Sequence, residues 1–154
     1  MDNPWLITLA AIGLAALAVA AFLVPKRLRN RRRERAREEF PELRPDVEQQ
    51  FFAAASTSGK PRGLRWKEIR FHEGQAFAVD RVSGALYALV GATISFEAIE
   101  GGPMEDVEAV GNLRAATAVF VFNKGKWTAE GRAVFNLTPE ETIDRYGAAL
   151  EPVE

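Results

Sequence analysis

Residues 86–98 read LYALVGATISFEA, and the rest of the architecture follows from their alternation. Leu86, Ala88, Val90, Ala92, Ile94 and Phe96 fall on one face, with Tyr87, Leu89, Gly91, Thr93, Ser95 and Glu97 on the other. A period of two belongs to a β-strand, whose successive side chains point to opposite faces. A strand of this length has to bend, and Gly91 predicts a bulge or strong curvature at its middle.

Punctuation on either side sets the neighbours. Residues 80–84 begin with Asp and end with Gly, the chemistry of a hairpin loop, so 77–79 form the preceding strand. Residues 64–71 are read as the first strand, turned back near Glu73 and Gly74. Beyond an acidic loop over 99–111, residues 113–122 are apolar on both faces around Val119, Phe120, Val121 and Phe122, as in a central strand. Asn123, Lys124 and Gly125 make a tight turn. The last strand then sets Trp127, Ala129, Gly131, Ala133, Phe135 and Leu137 against Thr128, Glu130, Arg132 and Asn136.

Helices bracket these strands. Pro45, followed by Asp46, Val47, Glu48, Phe51 and Phe52 through Ala55, predicts a helix with one apolar face, ended by the Ser-, Gly- and Pro-rich stretch 56–63. Thr138, Pro139 and Glu141 supply the cap, first-turn proline and capping-box acid of a closing helix expected to bury Ile143, Tyr146 and Leu150. The fold class is therefore α+β. A curved antiparallel sheet of about five strands is flanked by an N-terminal and a C-terminal helix, with one face covered by the helices. In element order alone this resembles cystatin-like and NTF2-like domains.

The segment before this domain has a different character. Residues 5–24 carry no charge, and ten of them are Leu, Ile, Val or Phe and seven are Ala. As a helix the run is about 30 Å long, the thickness of a hydrocarbon core, and its ten strongest apolar residues favour insertion by about 3–6 kcal/mol. Trp5 suits one interface, and Pro25, Lys26 and Arg27 mark the other. Only Asp2 precedes the run, where a cleaved signal would carry a basic region, so an uncleaved signal-anchor is expected. Ala11 with Ala15 and Ala16 with Ala20 are small-residue pairs that permit close helix packing.

The net charge of −1 conceals two opposed blocks. Lys26, Arg27, Arg29, Arg31, Arg32, Arg33, Arg35 and Arg37 stand against Glu34 alone, a net +7, while residues 38–154 sum to −7. The basic block reads as a helical continuation of the span, with Glu34, Glu38 and Glu39 spaced to pair with its arginines. Beside a span, these eight residues are candidate contacts for anionic lipid headgroups or a stop-transfer signal. The positive-inside rule then places the N-terminus outside and the globular domain in the cytoplasm. Nucleic acid is not an expected partner, since no aromatic interleaves the arginines and the following domain is acidic. Pro41 and Pro45 predict a short linker. The resulting organisation is a transmembrane anchor over 1–25, a basic juxtamembrane arm over 26–39 and an α+β domain over 40–154.

The chemistry the chain can support is narrow. The absence of cysteine excludes disulfides, thiolate metal sites and cysteine nucleophiles. His72 is the only histidine and has no nucleophile elbow to serve. Gly59, Lys60 and Gly63 lack phosphate-loop spacing and read as a turn. Asn136, Leu137 and Thr138 form a sequon, but Thr138 is better used as a helix cap. Glu97, Glu100, Glu105, Asp106 and Glu108 place five carboxylates within 12 residues, without EF-hand spacing. Glu100, Glu105 and Asp106 are candidate contacts for a basic partner, and Arg114 and Arg132 for an anionic ligand on the sheet face the helices leave open. No catalytic residue, cofactor or metal is expected. The leading expectation is a membrane-anchored, non-catalytic domain for protein interaction or assembly, a second copy of the chain being one candidate partner. The alternative is a small-ligand binder or enzyme with a pocket between helix and curved sheet.

Overall fold

A computed structural model describes residues 4–58 and 61–153 of the chain. Gly59 and Lys60, read above as part of a turn, lie outside the described residues. The chain divides into two compact units, Met1–Arg35 and Ala36–Glu154.

Helix α1 spans Pro4–Thr57 and contributes to both units. In the first unit, every described side chain from Thr8 to Arg32 is exposed. This N-terminal helix is long and apolar enough to cross a membrane. In the second unit the helix changes character, because Ala36, Phe40, Val47, Phe51 and Ala55 are buried at helical spacing. The linker expected at Pro41 and Pro45 is instead helical. An interior proline costs a helix about 3 kcal/mol, and each fully buried aromatic contributes about 1.5–3 kcal/mol. Phe40 and Phe51, both fully buried, flank the prolines and hold the segment helical.

Six antiparallel strands follow: β1 (Leu64–Phe71), β2 (Ala76–Asp80), β3 (Leu86–Ala98), β4 (Arg114–Asn123), β5 (Lys126–Phe135) and β6 (Leu150–Val153). The helix α2 covers Pro139–Arg145. The sheet order is β5-β4-β3-β2-β6, and β1 also pairs with β3. The sixth strand corrects the expectation of five: Leu150, assigned above to the closing helix, starts β6 and pairs with Asp80. Pro152 is tolerated because β6 is an edge strand with a free side.

The chain does not turn back at Glu73 and Gly74. Phe71 pairs with Ala92 and Ala76 pairs with Leu89, so β1 and β2 lie along the same edge of β3, separated by an excursion over 72–75. The His72 N–H donates to the Gly91 carbonyl at 2.8 Å and keeps the chain on that edge. Arg44 braces the excursion from α1, donating to the carbonyls of His72 and Gly74 and to Gln75 Oε1, while Glu48 accepts from its Nε at 2.6 Å.

Gly91 is not a bulge, since the β3–β4 register runs unbroken through Gly91 and Thr117. Its missing Cβ leaves room for the His72 ring, whose Nδ1 would lie 3.0 Å from such an atom. The irregularities fall elsewhere, between Trp66 and Glu68 in β1 and opposite Val119 in β5. The second brings Gly131, at φ +71°, against the end of α1; a Cβ there would stand 2.3 Å from the Ala55 nitrogen.

The two faces of β3 behave as its alternation requires. Leu86, Ala88, Val90, Ala92, Ile94 and Phe96 join the core beneath residues 36–57 of α1. Phe40 stacks edge-on with Phe77, Phe120 and Trp127, and Trp127 Nε1 donates to the Ala36 carbonyl at 2.9 Å. On the other face Ala78, Leu89 and Val119 pack with Ile143 of α2. The helices thus occupy opposite faces of the sheet, where a single covered face was expected. Thr138 and Glu141 close the α2 capping box, while Tyr146 stays 43% exposed.

Candidate functional site

The basic candidates fall in both units. Lys26, Arg27, Arg29, Arg31, Arg32 and Arg35 are exposed along α1 of the first unit, free to meet an anionic surface. Arg33 is half-buried, and that desolvation, with the neighbouring Arg29 charge, lowers the pKa of its guanidinium. Arg37 belongs to the second unit. Its guanidinium sits 5.3 Å from the centroid of the Phe77 ring, and its Nε is buried with no hydrogen-bond partner. Arg37 therefore helps to seal the domain core where α1 enters it.

The acidic candidates all lie in the second unit, at the end of the sheet away from Ala36. Ala36 sits at the Trp127 end, by the β4–β5 turn, whereas residues 99–113 join the far ends of β3 and β4. Glu100, Glu105 and Asp106 are exposed there, and Glu105 Oε2 accepts from the Gly101 N–H at 2.9 Å. Ile99, Val107 and Leu113 are exposed on the same segment, Leu113 to 70%. Among the described residues no group of three or more His, Asp or Glu side chains converges as metal ligands would.

Arg114 and Arg132 do not share a cleft. Arg114 donates to the Ala109 carbonyl at 3.1 Å, bracing the 3-10 turn over Glu108–Gly111, and it lines a hollow with Leu64, Phe96 and Phe135. Arg132 comes from the β5 irregularity and lines a smaller cavity between the sheet and α2, with Asp80, Tyr87, Thr142 and Tyr146. Asp80 is fixed by its own turn: Oδ1 accepts from the N–H groups of Val82 (3.0 Å) and Ser83 (2.6 Å) and from the Ser83 hydroxyl (2.8 Å). The Ser83 N–H above all, and then the Ser83 hydroxyl, hold its carboxyl below the usual carboxylate range.

His72 is exposed and its Nε2 lies 2.9 Å from Thr93 Oγ1. Two residues escaped sequence reading. Arg44 is not singled out by any sequence signal, and Asp80 is read there as a turn residue alone. The Asp at the head of 80–84 was a visible signal for the turn, but only the β2–β6 and β4–β5 pairings bring it to the cavity that Arg132 lines.

The unpaired strand edges are defended against pairing with another chain. Arg65, Lys67, Glu68 and Arg70 are exposed along β1, Pro152 interrupts β6, and the irregularity with Gly131 breaks β5. No protein-family model, curated protein or solved structure matches the chain.

Proposed function

We propose that this chain is a single-pass membrane protein that holds a non-catalytic α+β domain in the cytoplasm, where the acidic loop over 99–113 docks a basic protein surface. One observation carries the anchoring: Leu9, Ile12, Leu14, Leu17, Val19, Phe22, Leu23 and Val24 are all exposed on one helix segment. Apolar area on every side of a helix is expelled by water, and a bilayer satisfies it without any protein partner. The six exposed basic residues that follow, Lys26, Arg27, Arg29, Arg31, Arg32 and Arg35, support this orientation, each being attracted to an anionic cytoplasmic leaflet by about 1 kcal/mol near the surface. The loop supports the docking role because exposed apolar residues stand among its carboxylates, at the end of the sheet away from Ala36.

A C-terminal tag on the full chain tests the orientation. It should resist protease in intact cells and be digested only after lysis; digestion in intact cells would reverse the topology. Docking is tested by a photo-crosslinking residue at Leu113. Adducts to a protein, or to a second copy, should form in native membranes and fall when Glu105 and Asp106 are both changed to Lys. Adducts indifferent to that charge reversal, or none at all, would refute the docking role.

A further inference from the structure

The cavity beneath α2 has a volume of about 110 Å³, and Leu89, Val119 and Val134 form its apolar floor. Opposite charges line it from separate strands, Asp80 of β2 and Arg132 of β5, yet no ion pair joins them. Arg132 is exposed, and its side chain makes no hydrogen bond or ion pair among the described residues. Asp80 Oδ1 is saturated by the turn, and Oδ2 has no protein partner among them. The hydroxyls of Tyr87 and Tyr146 are likewise without protein partners there.

This arrangement constrains an occupant. A guanidinium fork matches a carboxylate in a bidentate way, and a fixed carboxylate accepts from a hydroxyl or ammonium donor. The apolar floor favours a carbon skeleton between the two ends over a bare ion. A cavity of about 150 Å³ admits benzene, so this one encloses about four heavy atoms, and a slightly larger ligand extends to its open side. We infer that the cavity between α2 and the sheet binds a small carboxylic acid carrying a hydroxyl or ammonium group, with Arg132 holding the carboxylate and Asp80 the donor. The inference is independent of the membrane reading, because every lining residue lies within Ala36–Glu154.

Calorimetric titration and thermal unfolding of the full chain in detergent micelles test it, with lactate, alanine, propionate and methylamine as probes. Lactate or alanine should bind saturably and raise the unfolding midpoint. Propionate, which has the carboxylate without the donor, should bind at least about tenfold more weakly, and methylamine not measurably. Arg132→Met should abolish binding. Asp80→Asn keeps an Oδ1 acceptor for the turn and should erase the preference over propionate. Ala149→Phe, which adds bulk at a lining position and leaves Arg132 and Asp80 in place, should block every probe and guards against misfolding of the Arg132 variant. Failure of both lactate and alanine to saturate, equal binding of propionate, or unchanged binding in Arg132→Met or Ala149→Phe would overturn the assignment.

Discussion

The two parts of α1 share one secondary structure and little else. Before Arg35, apolar residues occupy every face and all of the large ones described are exposed; from Ala36 onward, apolar residues form a stripe and the stripe is buried. The difference teaches that helical conformation is the common solution and the surrounding medium is what the pattern encodes. A helix apolar all round suits a bilayer or a large protein core, whereas one with an apolar stripe packs that stripe on a neighbouring element, here the sheet. Core substitutions in the second part should therefore unfold the domain, and equivalent ones in the first should not.

The sharpest break of that comparison is Phe51→Ala against Leu14→Ala in the full chain. The first should cost about 3–5 kcal/mol, read by denaturant unfolding of the domain's tryptophan signal, because it removes a ring packed among Trp66, Phe71 and Phe120. Leu14→Ala should leave that transition unmoved. Equal effects would mean that the exposed segment is part of the domain core.

Next is Gly131→Ala, where a methyl group meets the backbone of Ala55 and the residue is held at φ +71°. A loss of about 2–4 kcal/mol is expected, with α1 shifted away from β5 in hydrogen exchange of residues 51–57. A neutral result would show that the helix end does not rest on the β5 irregularity.

Arg44→Met keeps the aliphatic stem and removes the brace on the excursion between β1 and β2. About 1–2 kcal/mol should be lost, together with hydrogen-exchange protection at residues 72–75. If protection there is unchanged, the His72–Gly91 hydrogen bond alone sets the edge.

The smallest effect concerns acid. The Asp80 carboxyl is depressed in the folded state, so the stability it adds is complete above its unfolded pKa, about 3.9, and is lost as pH falls through its folded value. Asp80→Asn should remove that part of the acid sensitivity. An acid transition unchanged in Asp80→Asn would place the responsible carboxylates elsewhere.

Much of this fold is legible in the sequence. Strong alternation fixed β3, and the tight turn at 123–125 and the Thr138 capping box were correct because local chemistry alone determines them. Lys124 and Gly125 both adopt positive φ, as a two-residue hairpin turn demands. Local rules failed where tertiary contacts outweighed them. Proline predicted a linker that buried Phe40 and Val47 override, and Gly91 predicted a bulge where a neighbouring imidazole needed space. The strand β6 carries a proline and no alternation, so nothing local announced it. The candidate sites were less legible still, since Arg114 and Arg132 share a residue type but not a cleft, and the separation depends on a β5 irregularity that no local signal placed.

The most direct test of one helix in two media exploits the absence of cysteine. Single cysteines placed one at a time from Leu9 to Ala55 in native membranes can be treated with a water-soluble maleimide, which reacts only with thiolates that water reaches. The account predicts uniform protection through the apolar run to Val24, labelling through the basic arm, and then periodic protection at 36, 40, 47, 51 and 55. Labelling within the apolar run, or a helical period of protection there like that of the second part, would contradict it by showing that this segment faces water or packs on protein.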